Sequence, residues 1–181
     1  MTRDEFLSLF SSLEHIGQNA DELWEVVSRL QGIRASKMIE IGVSRGGSMK
    51  IWDNTLVPGG TIVGIDNENR ITSTKQPIFW DFSTGKTTIH YIVGASDIPD
   101  VIAGVMEIIG TGEADFLWID GEHSYEGCKA DFNNYRQFVR PGGLIGIHDY
   151  SSIKEVKKFV DELPEKEIID YGLGTALVEV K

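Results

Sequence analysis

Two short stretches of this chain place titratable side chains directly after an apolar run. The first is Phe116-Leu117-Trp118-Ile119 followed by Asp120-Gly121-Glu122-His123. The second is Leu144-Ile145-Gly146-Ile147 followed by His148-Asp149-Tyr150. Each apolar run has the length of one buried strand. In open α/β sheets, ligands bind beyond the carboxyl ends of the strands. Two acids and two imidazoles on neighbouring strand ends would support two kinds of chemistry. Asp120 and Asp149 offer hard oxygen ligands for a divalent ion such as Mg²⁺. His123 or His148, each with an acid nearby, offers a general base with an ordinary pKa close to neutral pH. Both readings stay open. His15 and His90 have no comparable context and receive no role.

The elements that must position these groups follow from periodicity and punctuation. Residues 38–43 read as a strand, and residues 47–56 as a helix. Between them lies a turn containing Gly42, Ser44, Gly46 and Gly47. Glycines let a backbone approach a ligand closely, and a helix N-terminus offers unpaired N–H groups. Ser44 stands where a dinucleotide fingerprint would have its second glycine. Residues 61–65 form a second strand ending in Asp66. That acid lies 24 positions beyond Gly42, near the spacing of about 20 for an acid that binds ribose hydroxyls. A third strand, 89–93, runs into Gly94-Ala95-Ser96-Asp97, and Pro99 opens a helix to Gly110. A helix over 125–139 and a Pro141-Gly142-Gly143 turn separate the two opening stretches. Ser151 or Ser152 is the expected cap of a helix ending near Pro164. Residues 168–171 and 175–180 read as an antiparallel hairpin.

Ahead of the first strand, Phe6, Leu9, Phe10 and Leu13 predict a helix over 3–14. Asn19 with Glu22 predicts a capping box opening a second helix that Gly32 ends. Residues 1–32 are thus expected to cover one sheet face, with a lid or homo-oligomer contact as the alternative role. The 67–87 connection is long for an α/β unit. Its Phe79, Trp80 and Phe82 suit either a short helix or a substrate cover. The resulting fold class is α/β, a Rossmann-like three-layer sandwich with a mostly parallel seven-stranded sheet and a C-terminal antiparallel hairpin. Residues 1–181 are expected to form one domain.

Composition narrows the function. The net charge of −11 over 181 residues, with no basic patch, argues against nucleic acid as a partner and for a small-molecule ligand. The single cysteine, Cys128, excludes an intramolecular disulfide. The most apolar segment, 98–109, is interrupted by Pro99, Asp100 and Glu107 and is too short to cross a membrane. No secretory leader is visible at residues 1–5, so a cytoplasmic location is expected.

The runs Glu40–Ser48 (E-I-G-V-S-R-G-G-S), Asp66, Ile119–Gly127 (I-D-G-E-H-S-Y-E-G) with Asp131, and Pro141–Tyr150 (P-G-G-L-I-G-I-H-D-Y) resemble class I S-adenosylmethionine-dependent methyltransferases. The similarity is greatest to the small branch with an "IDG-H-Y" and a later "GG…HD" strand end, which is related to cephalosporin hydroxylases and sugar O-methyltransferases. It covers roughly residues 20–181. The resemblance implies O-methylation of a small-molecule acceptor. Glu40, Gly42, Ser44, Gly46 and Gly47 would wrap the methionine part of S-adenosylmethionine. Asp66 would hold the ribose, Ser96 would lie near the adenine, and Asp120 would border the cofactor. Asp120, His123 and His148 would be the catalytic groups. Several such relatives hold a divalent metal, here between Asp120 and Asp149. Those relatives commonly place Asn, Asp or Glu beside the second acid, whereas here the neighbours are His148 and Tyr150. Two other functions compete with this one: a nicotinamide-dependent oxidoreductase, and a non-catalytic module that binds S-adenosylmethionine.

Overall fold

The computed structural model describes residues 1–13, 16–68 and 84–181. The expected 67–87 substrate cover therefore lies largely outside the described residues. The described elements are α1 (Arg3–Ser11), α2 (Ala20–Gly32), β1 (Lys37–Ile41), α3 (Gly47–Thr55), β2 (Thr61–Asp66), β3 (Thr88–Val93), α4 (Pro99–Ile109), β4 (Ala114–Ile119), α5 (Tyr125–Tyr135), β5 (Val139–Ile147), α6 (Lys154–Asp161), β6 (Glu167–Ile169) and β7 (Thr175–Glu179). The sheet order is β3-β2-β1-β4-β5-β7-β6. Strands β1 to β5 are mutually parallel, and β7 pairs antiparallel with both β5 and β6. This is the expected Rossmann-like sandwich with its C-terminal hairpin.

Alternation along the strands builds the two core layers. Ile39, Ile41, Leu117 and Ile119 face α4, α5 and α6, where they pack with Val105, Tyr135 and Phe159. Met38, Phe116 and Trp118 face α1, α2 and α3, where they pack with Phe6, Leu23 and Trp52. Full burial of each large apolar side chain contributes about 1.5–3 kcal/mol, so both faces of the central strands are firmly held. β1 lies between β2 and β4, with Glu40 level with Trp118, which puts the turn after β1 beside Asp120. The polarity of the strands then gathers the ends of β1, β2, β4 and β5 along one edge.

Several expected boundaries shift for identifiable reasons. α1 stops at Ser11 rather than 14, and residue 14 lies outside the described set. Asn19 caps α2 by accepting from Asp21 N and Glu22 N, but Glu22 does not close a capping box. Its Oε1 instead accepts from Tyr171 N, Leu173 N and Gly174 N at 2.8, 3.0 and 3.0 Å. Three converging turn N–H groups outbid the single N–H at the cap. α5 ends at Tyr135 in a 3₁₀ turn over Arg136–Phe138. β5 starts at Val139 and takes Pro141-Gly142-Gly143 into the strand, with a register shift between Ala114 and Phe116 absorbing the irregularity. Neither Ser151 nor Ser152 caps α6, whose N-cap is Ile153. Those hydroxyls donate to Asp170 and Asp149 instead.

Candidate active site

The turn after β1 bends back sharply on itself. Gly42 has φ +88°, and a Cβ there would meet the Asp120 carbonyl oxygen at 2.0 Å. Only glycine lets the β1 turn lie this close to the end of β4. Ser44 adopts φ +50° and donates its N–H to Asp66 Oδ2 at 2.7 Å. Asp66 Oδ1 accepts from Glu68 N at 2.9 Å, so the carboxylate joins the ends of β1 and β2. Each of its oxygens keeps a further lone pair for a ligand hydroxyl.

Beneath this turn, Glu40 is fully buried, and neither carboxylate oxygen has a hydrogen-bond partner. Burial pushes its carboxyl up to about 8, against the opposing pull of Ser48 and Trp52. Asp131 on α5 is 2% exposed. Its Oδ1 accepts from Ser96 Oγ, and its Oδ2 has no partner. Burial raises the Asp131 carboxyl to about 6, and nearby Glu122 and Asp97 add to the rise, while Ser96 opposes it.

These strand ends enclose a cleft of about 880 Å³. Gly42, Ser44, Asp66, Ser96, Asp120 and Asp131 line it, and Asp97, Glu122 and Glu126 also border it. No Lys or Arg stands among its described lining residues. A second cavity of about 260 Å³ adjoins it and shares Gly42, Ser44, Asp120 and His123. Gly47, His148, Asp149 and Gln18 also line this smaller space.

The smaller cavity brings the two opening stretches together. His123 Nε2 lies 3.4 Å from Asp120 Oδ1 and 3.1 Å from Asp149 Oδ2. His148 Nδ1 lies 3.3 and 3.2 Å from the same two oxygens. Ligand atoms of Asp120, His123 and Asp149 all fall within 4.8 Å of one another, a spacing that suits a metal ion. Asp149 holds φ +63°, an uncommon conformation for a non-glycine residue, and its Oδ1 accepts from Ser152 Oγ. The charges are strongly coupled. Asp120 and then Asp149 raise His123 to about 10, despite partial burial. Burial opposes protonation of His148, but Asp120 and Asp149 outweigh it and lift the imidazole to about 9. Conversely, burial works against ionisation of Asp120 and Asp149, and the two imidazoles more than offset it, holding both carboxyls low.

The structure thus gathers Asp120, His123, His148 and Asp149 in one cavity, with Gly42, Ser44, Asp66 and Ser96 in or beside the cleft next to it. Gly46 serves as the left-handed N-cap of α3, and Glu40 lies below the turn without lining either space. Gln18 was not legible in the sequence. Its Nε2 donates to Asp120 Oδ2 at 2.6 Å across 102 positions. The contact is fixed indirectly. Asn19 Nδ2 and the Glu22 carboxylate fasten the start of α2 to the 171–174 turn. That turn in turn pairs through Gly174 O and Leu173 O with Tyr150 N and Ser151 N, just beyond Asp149. Nothing in the local pattern around Gln18 signals this role.

Comparison with known proteins places this architecture. A family described as a methyltransferase domain matches residues 39–150, more than half the chain. An uncharacterised protein of Acanthamoeba polyphaga mimivirus is 28% identical over 124 residues, covering 64% of this chain and 52% of that one. The chain therefore spans about half the length of that curated relative. Among solved structures, the O-methyltransferase from Bacillus cereus in complex with SAH superposes with a TM-score of 0.72 at 16% identity, over 99% of this chain and 90% of that one. The MycE methyltransferase of the mycinamycin biosynthetic pathway, in complex with Mg, SAH and mycinamycin VI, gives 0.68 at 17%, over 99% and 54%. TomG from Streptomyces achromogenes, an O-methyltransferase in complex with SAM, gives 0.67 at 14%, over 99% and 89%. At these identities the structural likeness is one of fold. With the matched segment running from β1 through both strand ends to Tyr150, the chain belongs to the methyltransferase-domain family.

Proposed function

We propose that the protein transfers a methyl group from S-adenosylmethionine to an oxygen of a small-molecule acceptor, with a divalent cation at the Asp120–Asp149 end of the site. The observation that carries this reading is the pairing of two adjoining cavities of opposite character. The larger is acidic with no described Lys or Arg, and the smaller holds a compact Asp/His cluster. A ligand bearing a sulfonium and an ammonium suits such a cleft. The pyrophosphate of a nicotinamide dinucleotide would meet Asp66, Asp97, Glu122 and Asp131 with no described cation to offset them. This electrostatic mismatch counts against the oxidoreductase reading.

When bound, S-adenosylmethionine supplies an electrophilic methyl carried on sulfur. The turn from Gly42 to Gly47, with the buried Glu40 carboxyl beneath it, suits its methionine part. Asp66 suits the ribose hydroxyls, and Ser96, braced by Asp131, suits the adenine side. Asp120 stands on the boundary between the cavities, where donor and acceptor must be aligned. That positioning alone contributes several kcal/mol or more to an in-line displacement. The hydroxyl of the acceptor loses a proton as the new C–O bond forms. A divalent ion held by Asp120 and Asp149 would lower the pKa of that hydroxyl. His123 and His148, raised to about 10 and about 9, hold their protons at neutral pH in the metal-free cluster. A general base must be free of its proton at working pH, so the raised imidazoles count against the histidine-base reading, and an ion bound among them would have to displace those protons. No helix among the described residues is long and apolar enough to cross a membrane. The N-terminal helices, whose connection supplies Gln18, remain the expected surface for acceptor selection or homo-oligomer contact.

Calorimetric titration tests the donor: S-adenosylmethionine binds and NAD does not. Binding of NAD alone would reverse the assignment, and binding of neither would remove both enzyme readings. A screen of hydroxyl-bearing compounds with labelled S-adenosylmethionine, with and without chelator, then tests the acceptor and the ion. Turnover unaffected by chelator would restore His123 or His148 as the base.

A further inference from the structure

We infer that the Asp120–Asp149 cluster is a mixed nitrogen–oxygen metal site, built for a borderline divalent transition-metal ion rather than for Mg²⁺. The inference rests on reading this cluster as the cation site of the proposed methyltransferase. It adds the class of ion and the two histidine ligands.

Donor atoms of Asp120, His123 and Asp149 lie within 4.8 Å of one another, and His148 Nδ1 stands beside the same two carboxylate oxygens. His123 Nε2 and His148 Nδ1 each lie 3.1–3.4 Å from both Asp120 Oδ1 and Asp149 Oδ2. Adjacent ligands about 2.1 Å from a common ion stand about 3.0–3.4 Å apart, whether the angle between them is octahedral or tetrahedral. His148 is only 4% exposed, and neither ring nitrogen has a hydrogen-bond partner. Its Nδ1 faces the two carboxylate oxygens as an ion pair at 3.2–3.3 Å, where a divalent ion would take the place of the imidazole proton, and its Nε2 has no partner.

The outer oxygens of both carboxylates are already engaged. Gln18 Nε2 donates to Asp120 Oδ2 at 2.6 Å, and Ser152 Oγ donates to Asp149 Oδ1. Each acid is therefore held with its remaining oxygen toward the two imidazoles. Outer-shell partners orient metal ligands in this way. Donor chemistry decides the ion. Carboxylates and waters suit Mg²⁺, whereas imidazole suits Zn²⁺, Fe²⁺, Co²⁺ and other borderline ions.

The test is titration of the metal-stripped, tag-free chain with Mg²⁺ and with Co²⁺. Co²⁺ also reports its ligands through visible absorption. We expect Co²⁺ to bind at least about 100-fold more tightly than Mg²⁺, following the preference of imidazole donors. His123→Ala and His148→Gln should each weaken Co²⁺ binding by about 10- to 100-fold and change the visible bands. The His123 side chain is 45% exposed, so His123→Ala removes the ligand without opening the core. Thermal melts check that both variants are folded. Equal Mg²⁺ and Co²⁺ affinities, or Co²⁺ binding and bands unchanged in His123→Ala, would overturn the inference. Titration with S-adenosylmethionine in the same preparations separates the two readings. Intact donor binding with no Co²⁺ preference sinks the donor-set inference alone. Loss of donor binding in the parent chain sinks the methyltransferase reading beneath it.

Discussion

The two cavities that meet at Asp120 are built in opposite ways. The larger is shaped by backbone: a glycine turn after β1, the loop after β3 and the first turns of α5. Asp66, Asp97, Glu122, Glu126 and Asp131 line it, and Asp131 Oδ2 is buried without a partner. The smaller is made of side chains whose charges largely cancel, two acids against two imidazoles, with Gln18 and Ser152 as braces. In the proposed function, one cavity takes a ligand that brings positive charge, and the other holds an ion and activates an acceptor. The difference separates binding from chemistry, so variants in each cavity should produce separable effects.

The largest separation is expected from Asp149→Ala. It should lower turnover by about 10²- to 10⁴-fold, while S-adenosylmethionine affinity in the larger cleft stays within about threefold. Parallel single-turnover and calorimetric measurements check this, and a matched loss of donor binding would merge the two cavities functionally. Gly42→Ala should break both sides together. The new Cβ has no room beside the Asp120 carbonyl, and the φ of +88° disfavours any side chain. We expect a stability loss on the order of 2–4 kcal/mol in denaturant melts, together with weakened donor binding.

Asp131→Asn probes the larger cleft through pH. The Asp131 carboxyl is raised to about 6 in the folded chain, above its ordinary 3.8. The folded state therefore holds this proton more tightly than the unfolded chain. Its stabilising contribution is complete below about pH 4 and disappears as pH rises through about 6. Above that, the buried carboxylate carries a cost on the order of 3 kcal/mol. Asp131→Asn should therefore be more stable than the parent at pH 7.5, with the advantage shrinking toward pH 4. Melts of both chains across that range measure the difference, and a pH-independent offset would contradict it. Gln18→Ala should have the smallest effect. Turnover or cation affinity should fall about tenfold with donor binding unchanged, as expected for loss of an outer-shell partner.

The same contrast explains what could be read from the chain before its structure. Features dictated by backbone geometry announce themselves locally. Gly42 and Gly46, Asp66 at the end of β2, and the apolar runs before Asp120 and His148 all carry their pattern in adjacent residues. The sheet and the gathering of the strand ends follow from them. Features made by side chains meeting across the fold do not. Gln18 reaches Asp120 only because Glu22 abandons a local capping box for three N–H groups of the 171–174 turn. A capping-box pattern records local propensity and is silent about a better partner some 150 positions away. His148 likewise reads as a base by type. Its burial beside Trp118, and its place between two carboxylates, emerge only when β4 and β5 pair.

The central claim is that donor and ion occupy adjoining cavities on either side of Asp120. The most direct measurement is a crystal structure with S-adenosylhomocysteine and Mn²⁺, with the ion located by anomalous scattering. The nucleoside and amino acid parts should lie in the larger cleft, with ribose at Asp66. The sulfur should face the smaller cavity, with one anomalous peak among Asp120, His123, His148 and Asp149. S-adenosylhomocysteine bound elsewhere, or an ion peak away from these four side chains, would contradict that claim.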